Sequence, residues 1–425
     1  GVDLFNIGDF NKDGINDVGL KTSKSSIVWD ITLGGSEDDY ANSIQQTSDG
    51  GYIIAGGTES SDGDITSNNG RGDYWILKLD IDGNIVWNKT YGGSEFDSPS
   101  SIQQTSDGGY VIAGCSKSLD GDISDGNNGD LDFWIVKLDS LGNKVWDKTF
   151  GGSEYDRALS IQQTSDKGYI ISGNTRSDDG DVSNDNNGNF DYWVVKLDID
   201  GNKIWDKTFG GSSEDYAKSI IQTSDGGYIV AGTTMSVEIN NYFAGIGYCW
   251  VIKLDGNGNL MWDTVLGGSF YDSANSILQT SDGSYIVAGS AKSIDGDISD
   301  SNNGKGDCWI VKLDSSGNKV WDKTFGGTEN DQANSIQQTW DGGFIVGGLT
   351  ESNNIDITDG NNGIGDFWVV KLDSSGNKIW DRTIGGSKNE GISSIQQTND
   401  GGYVMGGFTH SNDGDISNGN KGNLD

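Results

Sequence analysis

Proline, histidine and cysteine are scarce in this sequence of 425 residues, which holds one proline, one histidine and three cysteines. Cys115, Cys249 and Cys308 are widely spaced and form no Cys-x-x-Cys pair, which argues against a disulfide framework and against a zinc site. The single histidine, His410, has no second histidine with which to form a metal cluster, and no catalytic triad is recognisable around it. No run of about 18 apolar residues occurs, so we expect no segment that inserts into a membrane.

Positive charge is also scarce, because 28 basic side chains face 64 acidic ones and the formal net charge is −36. No basic cluster interrupts this acidity, so we expect no binding to nucleic acid, whose phosphates such a surface repels. An acidic surface does attract divalent cations. The 14 tryptophans, 15 tyrosines and 13 phenylalanines supply enough apolar area for a folded core and argue against disorder.

A long internal repeat dominates the sequence. A Gly-Gly pair marks each copy, and its first residues are Gly34, Gly92, Gly151, Gly210, Gly267, Gly326 and Gly385. Each copy predicts four strands: SIQQT (A), GYIVAG (B), DYWVVKLD (C) and KIWDKTF (D). Asp-Gly and Gly-Asn pairs in the A–B and C–D connections are typical of tight hairpin turns.

Strand C is apolar on both faces, as in Phe133-Trp134-Ile135-Val136, so each four-stranded unit must be covered on both sides. Strand D mixes lysine and aspartate with tryptophan, which suits an exposed outer edge. The pattern predicts an all-β fold: one domain over residues 1–425, a seven-bladed β-propeller of four-stranded antiparallel blades. A β-solenoid is the alternative, although its coils are usually shorter.

The chain ends are predicted to close the ring by sharing one blade, blade 7, between residues 17–33 and 394–425. After strand B at Gly402–Gly407 the sequence ends just before a strand C. Asn16–Lys21 and Ser26–Asp30 are predicted to supply the missing strands C and D. Such a closure would leave no open seam.

The N-terminal segment contains a spacing typical of calcium loops. Asp9, Asn11, Asp13 and Asp17 are predicted oxygen ligands, with Gly14 at the turn and the Ile15 carbonyl as a further ligand. With the preceding Leu4-Phe5-Asn6-Ile7-Gly8, residues 1–17 resemble the FG-GAP or VCBS repeats of extracellular propellers, and this resemblance implies bound Ca²⁺. The segment departs from an EF-hand because its position 12 is Leu20 rather than glutamate. The alternative is an Asx-rich turn without metal.

The repeat itself resembles tandem repeats of secreted and surface proteins of bacteria and archaea. Those repeats share an SIQQTxDGGYIVAG core, a DGD[IV]S loop and a [FY]WVVKLD strand, all of which recur in this sequence. The resemblance covers nearly the whole chain. It implies a secreted or cell-surface protein and no single activity.

Two further acidic patterns recur. Five B–C loops carry an Asp-Gly-Asp sequence, at Asp62 and Asp64, Asp120 and Asp122, Asp179 and Asp181, Asp295 and Asp297, and Asp413 and Asp415. These pairs are interpreted as caps of backbone amides, with calcium binding as the alternative. The D–A connections place an acid before each strand A, at Asp39, Asp97, Asp156, Asp215, Asp272, Asp331 and Glu390. These acids are predicted to accept hydrogen bonds from their own turns, with a ring around the channel mouth as the alternative.

Departures from the repeat indicate where a unique ligand site would lie. Blade 4 replaces its acidic B–C loop by an aromatic one, and several D–A connections add aromatic residues. The predicted ligand face consists of Tyr155, Tyr216, Tyr242, Phe243, Tyr248 and Tyr271. Aromatics among carboxylates and amides suit sugar rings, whereas packing between blades is an equally simple explanation.

The sequence therefore predicts a non-catalytic, calcium-stabilised binding or structural module that engages a glycan or a surface protein. No catalytic residues are assigned, because every blade carries similar acids and none is singled out. The alternative is a carboxylate-based glycan-active enzyme, a glycoside hydrolase or lyase.

Overall fold

The computed structural model describes residues 2–7, 27–183, 186, 188–236, 246–300 and 302–417. These ranges form an all-β propeller of four-stranded antiparallel blades. Within them, no helix has the length and apolarity needed to cross a membrane. The prediction of four-stranded antiparallel blades is confirmed.

Six blades are each built from four consecutive strands. Their strands A are β3 (Asp39–Gln46), β7 (Asp97–Gln104), β11 (Asp156–Gln163), β15 (Asp215–Gln222), β19 (Asp272–Gln279) and β23 (Asp331–Gln338). Their strands B are β4 (Tyr52–Thr58), β8 (Tyr110–Ser116), β12 (Tyr169–Thr175), β16 (Tyr228–Thr234), β20 (Tyr285–Ala291) and β24 (Phe344–Thr350). Their strands C are β5 (Asp73–Leu79), β9 (Asp132–Leu138), β13 (Asp191–Leu197), β17 (Tyr248–Leu254), β21 (Asp307–Leu313) and β25 (Asp366–Leu372). Their strands D are β6 (Ile85–Tyr91), β10 (Lys144–Phe150), β14 (Lys203–Phe209), β18 (Leu260–Leu266), β22 (Lys319–Phe325) and β26 (Lys378–Ile384).

A further four-stranded sheet joins the two ends of the chain, and we call it the composite sheet. It pairs β27 (Glu390–Gln397) with β28 (Tyr403–Thr409), β28 with β1 (Val2–Ile7), and β1 with β2 (Ile27–Leu33). The N-terminal segment therefore does supply strands C and D beside a C-terminal strand B.

The residues that form strand C of this sheet differ from the prediction. Val2–Ile7, not Asn16–Lys21, pairs with β28, in a register that sets Leu4 opposite Gly406. Strand C of the six blades is buried along its whole length except at Lys312 of β21, so this place favours an apolar segment. Val-Asp-Leu-Phe-Asn-Ile is more apolar than Asn-Asp-Val-Gly-Leu-Lys, which explains the difference. Residues 16–21 lie outside the described ranges.

The core lies between neighbouring blades. Strands B and C contribute it, as where Ile135 of blade 2 packs in one cluster with Ile171 and Trp193 of blade 3. Strands D form the outer edge, where Val145 is 60% exposed. Strand D also fixes the buried tryptophan of strand C, because Trp134 Nε1 donates a hydrogen bond to Asp147 Oδ2 at 3.1 Å. Burying both faces of strand C is thus what requires the blades to stack.

Strands A surround the central channel, and a belt of glutamine side chains links one strand A to the next. A glutamine Oε1 accepts from the backbone N–H of the following strand A: Gln45 from Gln104, Gln103 from Gln163, Gln162 from Gln222, Gln337 from Gln397 and Gln396 from Gln46. The last of these bonds joins the composite sheet to blade 1. Ile221 and Leu278 occupy the same position in blades 4 and 5, so the belt is interrupted there.

Each blade has two chemically different ends. The turn end carries the A–B and C–D turns, and the loop end carries the B–C loops and the D–A connections. At the turn end a lysine of strand C pairs with the aspartate of its A–B turn, with N···O distances of 2.9–3.1 Å. In blade 2, Lys137 has a side chain only 5% exposed and also donates to the Leu138 carbonyl. The turn end therefore matches each of these buried cations with an acid.

Candidate ligand-binding face

The loop end is where the sequence placed its candidate sites. The predicted calcium loop with Asp9, Asn11, Asp13, Ile15 and Asp17 lies outside the described residues and stays a prediction.

The Asp-Gly-Asp pairs of the B–C loops bind backbone amides. In blade 2, Asp120 Oδ1 accepts from the Ser94 amide at 2.8 Å and Asp122 Oδ2 from the Gly92 amide at 3.3 Å. Within the described residues, no three histidine, cysteine, aspartate or glutamate side chains gather closely enough to hold a metal ion. This geometry suits amide capping.

The acids of the D–A connections are the first residues of strands A, and they are buried rather than arranged around the channel mouth. In blade 3, Asp156 Oδ2 accepts from the Gly152 amide and from the Ser177 hydroxyl, both at 2.8 Å. The same two contacts recur at Asp39, Asp97, Asp215, Asp272 and Asp331. A channel-facing ring of acids is therefore ruled out for these residues.

In several blades a second buried acid, the first residue of strand C, lies beside the acid that begins the next strand A. The sequence analysis did not identify these pairs. Asp132 is the first residue of β9 and is fully buried, and its Oδ1 has no hydrogen-bond partner among the described residues. A Cβ added at Gly151 would lie 2.3 Å from Asp132 Oδ1 and 2.7 Å from Asp156 Oδ2, so the two carboxyl groups converge on this glycine. Only glycine leaves them that space.

Burial raises the pKa of Asp132 to about 7, and the charge of Asp156 adds to the increase, although the Asn128 amide opposes it. The same causes raise the pKa of Asp307 and of Asp366 to about 7, and that of Asp73 to about 6. Two carboxylates so close together in a desolvated place cannot both ionise easily. Each pair therefore tends to share a proton near neutral pH.

An aromatic patch occupies the loop end of blades 3 and 4. The rings of Tyr155 and Phe190 meet edge to face at a centroid distance of 5.5 Å, and the rings of Phe190 and Tyr216 lie 5.4 Å apart. All three side chains are half-buried, so part of each ring faces solvent. The Arg176 guanidinium lies 5.3 Å from the centre of the Phe190 ring. Tyr155 and Tyr216 of the predicted face are thus brought together through Phe190.

Blade 5 extends the aromatic character of this end. Tyr271 is 37% exposed and its neighbour Phe270 is 57% exposed. The Lys292 ammonium lies 5.9 Å from the centre of the Tyr271 ring. We call Tyr155, Phe190, Tyr216, Phe270 and Tyr271 the aromatic face.

Two predicted members of the face need separate treatment. Tyr248 is 1% exposed, because it is the first residue of β17 and takes the buried place that an aspartate holds in other blades. Its assignment to a ligand face was wrong. Tyr242 and Phe243 lie outside the described residues, so their assignment stays a prediction.

Phe190 and Arg176 were missed by sequence reasoning. Phe190 stands where the other blades have Gly72, Leu131, Gly247, Gly306 or Gly365, so the departure was visible in the repeat. Comparing each residue before strand C across the repeats would have identified it.

Comparisons with known proteins give one curated relative at sequence level. The chain is 25% identical over 221 residues to the regulatory protein FlaEY of Caulobacter vibrioides. The match covers 48% of this chain and 23% of the relative, so the chain spans less than a quarter of that protein's length.

Three solved structures resemble this chain over most of its length. The WD40 domain of Neurospora crassa Pan2 has a TM-score of 0.47 at 10% identity, over 87% of this chain and 89% of that one. Sqt1 from Chaetomium thermophilum has a TM-score of 0.45 at 12% identity, over 86% and 76%. BBS1N, in its complex with ARL6DN, has a TM-score of 0.44 at 12% identity, over 88% and 93%. No family model matches the chain, so its classification rests on its own sheets: an all-β propeller of four-stranded antiparallel blades.

Proposed function

We propose that this chain is a non-catalytic binding module of a secreted or cell-surface protein, and that it holds carbohydrate on the aromatic face. The observation that carries the proposal is the contact series from Tyr155 through Phe190 to Tyr216, with part of each ring open to solvent. Sugar rings stack on such π faces, and neighbouring carboxylates and amides can bind their hydroxyl groups.

The asymmetry of the ring supports this placement. Blades that only need to pack together do so with glycine or leucine at the position of Phe190. Glu214 lies beside the face and accepts from the Tyr216 hydroxyl at 2.8 Å and from Asn189 Nδ2 at 2.9 Å. The face therefore combines apolar ring surface with fixed polar groups, as carbohydrate sites require.

We also propose that the composite sheet serves as a seventh blade, and that a calcium ion in the loop of residues 9–17 stabilises the N-terminal strands within it. Hydrogen bonds support the first part, because the Gln46 amide donates to Gln396 Oε1 and the Asn399 amide donates to Gln46 Oε1. The ligand spacing of Asp9, Asn11, Asp13 and Asp17 supports the second.

Glycan hydrolysis is the weaker alternative. It needs a protonated carboxyl group that a glycosidic bond can reach. The carboxyl groups with a pKa of about 7 belong to Asp132, Asp307 and Asp366, which are fully buried. Substrate cannot contact them without unfolding the loop end.

A glycan array followed by calorimetry tests the carbohydrate proposal. We expect specific binding without turnover, and we expect Phe190→Ala to weaken it about fivefold, because one stacked aromatic contributes on the order of 1 kcal/mol. Trp340→Ala is the matched control, since Trp340 is an exposed aromatic (62%) at the turn end. Equal binding by wild type and Phe190→Ala would contradict the aromatic face, and products released from the bound glycan would favour the enzyme.

A further inference from the structure

Two rings of side chains belong to the loop-end halves of strands A, the strands that surround the channel. One ring consists of the second residues of strands A, and the other of the bulge residues, which stand between positions such as Ala158 and Ser160 in the pairing with strand B. Arg157 belongs to the first ring and Lys218 to the second. Every other position of the two rings is uncharged, with tyrosine, serine, glutamine or glycine in the first and asparagine, serine or leucine in the second. Both cations therefore stand on neighbouring strands, β11 and β15, of a chain with a net charge of −36.

The bulge residues lie on the inner face of the ring. Asn275 Nδ2 donates to the Ala333 carbonyl at 2.8 Å, and Asn334 Nδ2 to the Ile392 carbonyl at 2.7 Å, so each reaches the next strand A. Lys218 takes this place in blade 4 and is exposed. The residue after it, Ser219, lines a central cavity of about 340 Å³. The exposed side chain of Lys218 therefore starts beside this cavity.

The Arg157 guanidinium hydrogen-bonds the side chain of Tyr155, on the connection that leads into its own strand, and reaches towards the two preceding blades. It is close enough to Tyr40 of blade 1 and Cys115 of blade 2 to influence the pKa of both groups. Its Nε is buried and has no hydrogen-bond partner among the described residues. No ion pair within the described ranges involves Arg157 or Lys218.

The two cations also act on each other. Although the Lys218 side chain reaches solvent, the surrounding strands partly desolvate its ammonium group and lower its pKa, and the positive charge of Arg157 lowers that pKa further. Two like charges in a confined channel repel, and a bound anion relieves that repulsion. Most basic residues elsewhere in the described chain have an acid beside them, as at the turn end.

We propose that Arg157 and Lys218 form a binding site for a small oxyanion, a sulfate or a ligand carboxylate, at the loop-end mouth of the central channel. The planar guanidinium offers paired N–H donors that match two oxygens of such a group, and the ammonium offers a compact charge beside it. The acidic exterior repels anions. This site goes beyond the proposed carbohydrate binding, although Arg157 shares a hydrogen bond with Tyr155 of the aromatic face.

Calorimetric titration with inorganic sulfate at constant ionic strength, with chloride as the reference ion, tests the site. We expect saturable 1:1 sulfate binding by the wild type, and about tenfold or greater loss in Arg157→Gln and in Lys218→Gln. Arg176→Gln and Lys292→Gln are the matched controls, because they remove the cations that lie over aromatic rings at the same end and should leave binding unchanged. Glucuronate compared with glucose distinguishes a ligand carboxylate from the free inorganic ion.

The titration of Lys218 gives a second readout that a merely structural role would not change. Sulfate should raise the pKa of the Lys218 ammonium group, observed by NMR, since an anion favours the charged form. Equal sulfate affinity in wild type and in folded Lys218→Gln, or no saturable binding by the wild type, would overturn the proposal. Melting curves of both variants ensure that loss of binding is measured on folded protein.

Discussion

The two ends of a blade use the same residue type, aspartate, under opposite electrostatic conditions. At the turn end, Asp107 faces the buried Lys137; burial works against ionisation, but hydrogen bonds from Thr105 and the Gly109 amide, together with Lys137, lower its pKa to about 2. At the loop end, Asp132 faces another acid, and burial and the charge of Asp156 raise its pKa to about 7. Lysine side chains thus compensate the aspartates at the turn end, whereas bound protons and backbone amides compensate those at the loop end. Among the described residues, the acids with a pKa of about 6–7 lie at the loop end, so we expect that end to respond to pH near neutrality.

Breaking an ion pair at the turn end should have the largest effect. Asp107→Ala leaves the buried Lys137 ammonium with the Leu138 carbonyl as its remaining hydrogen-bond partner among the described residues, and we expect a loss of about 2–3 kcal/mol of unfolding free energy. Urea unfolding near pH 7 measures it.

The composite sheet offers a matched control for that change. Asp400 makes the same bonds to a threonine hydroxyl (Thr398) and to a glycine amide (Gly402), but the register puts Asn6 where the other blades have lysine. Asp400→Ala should therefore lower the unfolding free energy by about 1 kcal/mol, because it removes only these hydrogen bonds. Equal losses in the two variants would show that the ion pair contributes nothing.

Neutralising a loop-end acid should have the next largest effect, with the opposite sign. The folded pKa of Asp132, about 7, exceeds the ordinary value of about 3.9. Between these two pKa values the folded protein holds a proton that the unfolded chain releases, so the contribution of Asp132 to stability is greatest below about pH 4 and is lost as the pH rises towards 7. Asp132→Asn should raise the unfolding free energy by about 2 kcal/mol near pH 8 and change it little near pH 4.

A pH series of urea unfolding checks this prediction. Asp200→Asn, an exposed change in a C–D turn, is the control and should leave the pH profile unaltered. A wild-type protein more stable near pH 8 than near pH 5, or an Asp132→Asn profile parallel to the wild type, would contradict the shared-proton account.

The smallest expected effect separates amide capping from calcium binding at the loop end. Asp120→Ala removes the acceptor of the Ser94 amide and should cost about 1 kcal/mol, equally in calcium and in chelator. Asp125→Ala, which breaks only the exposed pair with Lys148, should stay within about 0.5 kcal/mol. A loss for Asp120→Ala that appears only in calcium would identify the B–C loop as a metal site.

The repeat made the blades predictable, because a strand that is apolar on both faces requires neighbours on both sides. Trp134 and Val145 occupy the buried and exposed places that their strand patterns indicate. The closing strand was misassigned, since Asn16–Lys21 follows a turn-like segment, as the strands C of the blades do, while Val2–Ile7 has the more apolar composition. The repeat pattern shows which segment follows a loop as the other strands C do, but it does not show which segment is apolar enough for a buried strand.

The site was harder to predict, because burial depends on what each position faces. Tyr248 looked like a loop aromatic, yet the register of β17 opposite Thr234 buries it. Phe190, Arg157 and Lys218 are departures from the repeat that the sequence shows. Their contacts with residues of neighbouring blades can be recognised only in the folded structure. The pairing of Asp132 with Asp156 across a blade junction has the same origin.

The interrupted glutamine belt has a mechanical consequence. A ring closed by its two chain ends would be expected to part at that closure, yet the Gln396 side chain fastens it to blade 1. The gap left by Ile221 and Leu278 lies elsewhere, where no glutamine side chain at that position spans the boundaries of blade 5. On heating, we expect the contacts between strands A to loosen first on both sides of blade 5. Hydrogen exchange at the amides of Gln279 and Gln338 should report that loosening.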